Sequence, residues 1–235
     1  MKKKIPEPAW RGVIKRLHFP IEIILLCVRW YVAYPLSLRH LQEMMEEHGV
    51  SVVHTTIGRW LRKLLPLFEK QFRQYKKPVL DSWRMDETYV KISGCWYYLY
   101  RAVDKAGATI DFLLTAKRDK KAALRFFSKA IKQHGIPRAV VIDKSGSNIA
   151  ALADSNDQLE TKIEVRQIKY LNNLVEQNHR AIKRIIRPML GFKSFYSAQV
   201  TLGGIEIMHM LKKGKMQNPD NTARTPAQQF YMLAA

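Results

Sequence analysis

The strongest constraint on the fold is a change of pattern near residue 82. From there, three segments rich in aromatic and β-branched residues follow one another, separated by Ser93-Gly94 and by a turn ending at Gly107: residues 83–92, 95–103 and 109–115. Such runs between short turn sequences predict three antiparallel strands. A helical pattern capped by Asp119 and a wholly apolar run at residues 139–142 come next. Strands followed by a helix and a buried strand predict a mixed α/β sheet flanked by helices.

The rest of the second half has weaker signals. The stretch after residue 143, rich in Asp, Ser and Asn, is expected to be a loop. A last strand is predicted within residues 163–168. Two further helices are predicted at residues 172–190 and 205–213, with a polar tail beyond them.

The first 78 residues predict three helices. Ser37 is a suitable N-cap for the second helix, Gly49 suits its C-terminal end, and Thr55 or Thr56 is a suitable N-cap for the third. The solvent-exposed face of the third helix would carry four polar residues: Thr55, Arg59, Arg62 and Lys63. A helix, a short glycine turn and a basic second helix describe a helix-turn-helix, although a three-helix bundle with a basic surface has the same periodicity.

The charge balance favours a polyanionic partner. The 235 residues contain 40 Lys and Arg against 20 Asp and Glu, a formal net charge of +20. The excess is +9 in residues 1–80, +3 in residues 81–161 and +8 in residues 162–235. This excess is typical of proteins that bind nucleic acid, and it favours the helix-turn-helix interpretation of the first segment.

Several enzyme classes lack their motifs in this sequence. It has no GxGxxG or GxxxxGK[ST] loop for nucleotides, no HExxH and no GxSxG. No apolar run approaches the ~20 residues of a membrane span, and no signal peptide is recognisable. The two cysteines form no CxxC pair. We therefore expect a soluble cytoplasmic protein.

Three acidic residues are candidates for a metal site. Asp86 lies inside the first predicted strand, Asp143 follows the apolar strand, and Glu176 opens the helix that begins near residue 172. Each has a structural alternative: Asp143 can begin a type I turn, and Glu176 can pair with Arg180 or with the helix dipole. Together, two acids on one sheet and a third on a helix can converge on Mg²⁺ or Mn²⁺. A pair of such ions supports phosphoryl transfer without a nucleotide cofactor.

The helix around Glu176 carries a basic surface. Eight Lys or Arg and two acids lie between residues 162 and 193. A helix face that attracts phosphate is therefore predicted. The candidate DNA contacts on this helix and just before it are Lys169, Arg180, Lys183, Arg184 and Arg187.

These motifs, in this order, resemble the DDE transposases of bacterial insertion sequences, most closely the insertion sequence six family. The resemblance rests on the segments WRMDETYVK (83–91), YLYRAVD (98–104), RQIKYLNN (166–173) and LGFKS (190–194), together with Glu176 and the RII sequence that follows it. It implies a ribonuclease H-like catalytic domain with Asp86, Asp143 and Glu176 as the catalytic, metal-binding triad, and Lys183 as a contact to the transposon end. The 32 residues between Asp143 and Glu176 are slightly fewer than usual for the family, which makes Glu160 and Glu164 rival third acids.

The resemblance also implies the organisation and the reaction. Residues 1–78 are expected to form a DNA-binding helix-turn-helix domain, residues 79–215 the catalytic domain, and residues 216–235 a tail. The expected activity is binding of the terminal inverted repeats, metal-dependent 3′ nicking with two Mg²⁺ or Mn²⁺ ions, and strand transfer into target DNA by a homodimer or larger homo-oligomer. A DNA-binding regulator without catalysis and a structure-selective nuclease of the same fold are the alternatives.

Overall fold

The computed structural model describes residues 17–143, 146–168, 172–220 and 222–234. Its helices, in chain order, are α1 Ile21–Ala33, α2 Leu38–Glu47, α3 His54–Tyr75, α4 Lys120–His134, α5 Gly146–Leu159, α6 Asn173–Ile186, α7 Phe195–Lys212 and α8 Pro226–Met232. Its strands are β1 Ser82–Ile92, β2 Cys95–Asp104, β3 Thr109–Thr115, β4 Ala139–Val141 and β5 Glu164–Arg166. Among these residues, no helix is long and apolar enough to cross a membrane.

The chain divides into two compact units. The first contains residues 1–77, 185–190 and 194–235, and the second contains residues 78–184 and 191–193. In this division, α7 and α8 belong to the unit of the N-terminal helices, whereas the predicted catalytic domain, residues 79–215, includes α7. The segment after residue 216 also contains a helix, with a capping box between Thr225 and Gln228, and its buried Phe230 packs edge-to-face on Phe68 of α3 at 5.0 Å.

The first unit is helical. α1, α2 and α3 pack on one another, and α7 packs on α1 and α3. Ser37 caps α2 as predicted, since its hydroxyl accepts a hydrogen bond from the backbone N–H of His40 at 3.1 Å. The predicted threonine cap of α3 is wrong: the helix begins at His54, whose N–H donates to the Gln42 side chain of α2 at 2.9 Å. A tertiary contact thus replaces the local cap.

The second unit contains the predicted mixed sheet flanked by helices. The strand order is β3-β2-β1-β4-β5, with β2 antiparallel to β1 and β3, and with β4 parallel to β1 and β5. This is the arrangement expected of a ribonuclease H-like domain. The three apolar residues of β4 are all buried, as a parallel strand covered on both faces requires.

One predicted loop is a helix. Residues 146–159 form α5, whose buried residues Ala151 and Leu152 join the core that includes Trp83, Phe126 and Phe127. The polar composition predicted a loop, but packing against α4 outweighs the weak local helix propensity. Two of the polar residues, Asn148 and Ser155, are buried and hydrogen-bonded within the fold. The strand predicted at 163–168 shortens to β5, and the helix predicted from residue 205 begins at Phe195, where Ser194 caps it.

Candidate active site

The parallel pairing of β1 and β4 brings two of the predicted acids together. Arg84 on β1 pairs with Val141 on β4, so two residues farther along each strand direction lie Asp86 and Asp143. Side chains alternate across a strand, and residues two apart point to the same side. Asp143 comes directly after the carboxyl end of the buried strand, where α/β sheets commonly present functional groups.

A third acid, which the sequence analysis did not select, completes the cluster. One carboxylate oxygen from each of Asp86, Glu87 and Asp143 lies within 4.8 Å of the others. In the described residues, this is the one group of three or more acidic, histidine or cysteine side chains close enough to share a metal ion. Glu87 was missed because neighbours along a strand are expected to point to opposite faces; the only signal was the Asp-Glu pair itself.

Two polar side chains hold Glu87 against Asp143. Arg118 donates to Glu87 at 3.4 Å and to Asp143 at 3.1 Å. The Asn148 amide on α5 donates to the same two carboxylates, at 2.9 Å and 3.4 Å. The Glu87 side chain is only 4% exposed, against 39% for Asp143. Burial raises the pKa of Glu87 most strongly and Asp143 adds to the rise, while Asn148 and Arg118 oppose it.

Asp86 lies in an environment that disfavours its charge. Its pKa is raised from 3.8 to about 6, chiefly by burial and also by the charges of Glu87, Asp143 and Glu176, against a hydrogen bond from the backbone N–H of Glu87. The Nδ1 atom of His179, a buried residue of α6, lies 3.6 Å from Asp86 Oδ2. The sequence analysis also missed His179, since a single histidine on a helix has no motif.

Glu176 lies next to this cluster and is not part of the group of three. It is an exposed residue in the first turn of α6. Residues three apart on a helix are neighbours on its surface, so Glu176 lies on the same side of α6 as His179, which is within 3.6 Å of Asp86. Its charge contributes to the raised pKa of Asp86.

The rival third acids lie in other surroundings. Glu164 belongs to β5, and both of its carboxylate oxygens accept hydrogen bonds from Arg166, at 2.7 Å and 2.8 Å. Glu160 is an exposed residue that follows α5, with a positive φ of 49°. Neither residue belongs to the group formed by Asp86, Glu87 and Asp143.

The predicted DNA contacts lie on exposed helix surfaces. On α3, the side opposite the predicted contacts is buried through Ile57, Trp60, Leu61 and Leu64, and the four predicted residues are exposed: Thr55, Arg59, Arg62 and Lys63. On α6, Arg180, Lys183 and Arg184 are exposed, and Arg187 is exposed in the 3-10 turn that follows. Lys169 lies outside the described residues.

Comparisons with known proteins identify the family. A family model described as a DDE domain (DDE_Tnp_IS240) matches residues 80–215. The transposase for insertion sequence-like element IS431mec of Staphylococcus aureus (strain Mu50) is 36% identical over 218 residues, which are 92% of this chain and 96% of that protein. The chain belongs to the DDE transposases of the insertion sequence six family.

A second transposase and one solved structure are also similar to this chain. The transposase for insertion sequence element IS257 in transposon Tn4003 of Staphylococcus aureus is 35% identical, with 92% of this chain and 96% of that protein covered. The HTLV-2 integrase catalytic core domain, solved with magnesium in a trimeric form, is similar in fold with 18% identity and a TM-score of 0.46. That similarity covers 65% of this chain and 98% of the integrase chain.

The acid cluster of this transposase is suited to a divalent cation. Its donors are carboxylate oxygens, which Mg²⁺ and Mn²⁺ prefer. The three carboxylates outnumber the single guanidinium of Arg118 that contacts them, so a cation would relieve their mutual repulsion. As a DDE transposase, the chain is an enzyme, and the cluster is the part of the second unit where its chemistry is expected.

Proposed function

We propose that this transposase binds the terminal inverted repeats of its insertion sequence, nicks the 3′ ends and joins the freed 3′ hydroxyls to target DNA. The observation that carries the proposal is the convergence of Asp86 and Asp143 just beyond the point where the parallel pairing of β1 and β4 ends, in a chain that matches the DDE domain over residues 80–215. The second unit, residues 78–184 and 191–193, would perform the chemistry.

The proposed metal ligands are Asp86, Asp143 and Glu176, holding two Mg²⁺ or Mn²⁺ ions. When bound, such ions activate the attacking oxygen and stabilise charge on the leaving oxygen. Glu176 is favoured over Glu87 because the Glu87 carboxylate is 4% exposed and is already engaged by Asn148 and Arg118. The exposed Glu176 carboxylate can turn toward a ligand without breaking such contacts.

The other residues of the cluster would position these carboxylates. The parallel pairing of β1 with β4, which ends at Arg84 and Val141, would position Asp86 and Asp143 two residues beyond it. Arg118 and Asn148 hold Asp143 against Glu87, and His179 orients the Asp86 carboxylate from α6. Carboxylates that are already held in place by neighbouring side chains lose less conformational entropy when the substrate binds.

Two basic surfaces would bind the DNA backbone. The helix-turn-helix interpretation is supported by the packing of α2 on α3 and by the exposure of Arg59, Arg62 and Lys63. On α6, Lys183 lies seven residues after Glu176, two helical turns away, so both lie on one face. Arg180, Arg184 and Arg187 extend the positive charge of that helix; Lys169, outside the described residues, is retained as a candidate contact from its sequence position alone.

The reaction requires two transposon ends to be held together, which supports a homodimer or a larger homo-oligomer. Because the proposed substrate is DNA within the bacterial cell, we also propose a cytoplasmic, nucleoid-associated location. The basic composition, with a formal net charge of +20, supports both the DNA substrate and this location.

The test is a strand-transfer assay with the full chain. Duplex oligonucleotides would carry the inverted repeats that bracket the gene, and nicked and joined products would be separated on denaturing gels with Mg²⁺, with Mn²⁺ and with EDTA. We expect metal-dependent joining that Asp143→Asn and Glu176→Gln each abolish. End binding without nicking would instead identify a DNA-binding regulator, and hydrolysis without joining would identify a nuclease.

Two further variants separate the candidate third acids. Glu164→Gln is the matched control, because it removes an exposed acid from the same unit without touching the cluster; it should retain joining. Glu87→Gln should reduce joining less than Glu176→Gln does. The opposite order would assign the third ligand to Glu87.

A further inference from the structure

The β1–β2 hairpin exposes aromatic side chains on the face that forms the core elsewhere. Trp83 and Met85 of β1 are core residues, and every second residue beyond them points to the same side. The continuation of this face on β1 and β2 consists of three cross-strand pairs: Glu87 with Tyr100, Tyr89 with Tyr98, and Lys91 with Trp96. The first pair belongs to the acid cluster and the core, and the other two lead away from it to the turn at Ser93 and Gly94.

Exposure changes abruptly along this row. Met85 and Tyr100 are fully buried, whereas Tyr89 is 49% exposed and Trp96 is 61% exposed. Large aromatic side chains that are half in water lose much of the free energy that burial would give them. We call Tyr89, Lys91, Trp96 and Tyr98 the aromatic strip.

The rings of the strip are arranged with a cation among them. The Tyr89 ring lies 5.2 Å from Tyr98 and 6.4 Å from Trp96, the latter at an interplanar angle of 79°. Lys91 Nζ lies 5.9 Å from the centre of the Trp96 ring. Cross-strand contacts of this kind stabilise a hairpin. They do not explain why most of the indole of Trp96 is in water.

Exposed aromatic rings beside a cation are the features with which proteins bind unpaired nucleotides. Bases stack on the rings, and the cation attracts the phosphates. The strip also begins next to the acid cluster, because Tyr89 is two residues from Glu87 on the same face, about 7 Å along the strand. Glu87 and Asp143 share the side chains of Arg118 and Asn148. A DNA strand that reaches Asp143 along the Glu87 face of β1 would have its neighbouring nucleotides over the strip.

We propose that the aromatic strip is a stacking platform for unpaired bases of the DNA strand next to the reacting phosphate. This rests on the proposed function, because it places that phosphate at the acid cluster. The strip would favour an end whose terminal base pairs are opened or already cut, and it would contribute little to binding of intact duplex.

The test compares two forms of one transposon end, a blunt duplex and the same duplex with a five-nucleotide single-stranded overhang. Binding would be measured by fluorescence anisotropy in EDTA, so that catalysis does not interfere. Trp96→Leu keeps an apolar side chain but removes the π system, and we expect its Kd for the overhang to rise about 10-fold, with the Kd for the blunt duplex changed less than about 2-fold. Trp96→Phe should retain most of the affinity for the overhang.

The matched control is Tyr34→Leu, which removes a 45% exposed aromatic residue from the first unit; both Kd values should stay unchanged. Thermal melting would show that each variant is folded, and light scattering would give its oligomeric state. Equal effects on both DNAs, no effect on either, or a change of oligomeric state in Trp96→Leu would overturn the proposal. If the wild-type chain nicks and joins blunt ends, but Trp96→Leu binds both DNAs as the wild type does, the stacking proposal is wrong and the proposed transposase function stands. If the wild-type chain neither binds nor cuts transposon ends, the proposed function itself fails.

Discussion

Replacing Asp86 with Asn should stabilise the metal-free protein and remove its response to magnesium. The pKa of Asp86 is raised from 3.8 to about 6, so the folded chain disfavours the charged form of this carboxyl. A pKa difference of one between the folded and unfolded chain corresponds to about 1.4 kcal/mol. The ionised Asp86 carboxylate therefore lowers the free energy of unfolding by about 3 kcal/mol when it is charged in both states. Asp86→Asn removes that charge.

The sign of the effect sets its pH dependence. Below about pH 3 the carboxyl is protonated in the folded and the unfolded chain and contributes nothing. As the pH rises, the unfolded chain ionises first, and the full cost is reached only above the folded pKa of about 6. We therefore expect Asp86→Asn to raise the free energy of unfolding by about 2–3 kcal/mol at pH 8 and to have little effect at pH 3.

The assay is thermal or urea unfolding in EDTA at several pH values, repeated with Mg²⁺. For a chain of this size, the gain corresponds to a rise in Tm of about 5–10 °C. Magnesium at 100 times its Kd would add about 2.7 kcal/mol to the wild type, and Asp86→Asn should lose that gain. Asp81→Asn is the control, because Asp81 is an exposed acid of the same unit, paired with Arg138. A less stable variant at pH 8 in EDTA, or a gain independent of pH, would refute the reasoning.

Three further predictions use other parts of the molecule. Arg118→Met should lower the metal-free Tm and increase the rise in Tm on adding Mg²⁺, because it removes the cation that contacts two of the carboxylates; a magnesium titration of Tm would measure both, and an unchanged rise would contradict the role given to Arg118. Lys183→Ala should reduce the slope of log K against log salt for transposon-end binding by about 0.9, the value for one phosphate contact, whereas Lys132→Ala, a change of the same kind on α4, should leave it unchanged. Gly204→Ala should destabilise the first unit by about 1–2 kcal/mol, as measured by urea unfolding, because a Cβ there would lie 2.8 Å from a methyl group of Leu65.

Local patterns predicted much of the fold. The strands β1 to β3 follow from alternating aromatic and β-branched residues between short turns, and α4 begins at its predicted cap, where Asp119 accepts from the Ala122 N–H at 2.8 Å. Where the prediction was wrong, the deciding contact was distant in sequence. Gln42 takes the place of a threonine cap for α3, and packing on α4 makes a helix of residues expected to form a loop.

The candidate site, like the fold, was predicted only in part from the sequence. The residue types, their order and the basic flanks point to metal-dependent chemistry on DNA, because oxygen ligands and phosphate-binding cations are properties of individual side chains that the sequence states directly. Which acids meet is decided by the pairing of β1 with β4, and the contacts of Arg118, Asn148 and His179 arise from elements far apart along the chain. The sequence alone therefore determined the chemistry that this protein can perform. Only the tertiary structure decided that Glu87 joins Asp86 and Asp143 and that Tyr89 and Trp96 stay in water, because distances between remote residues depend on packing.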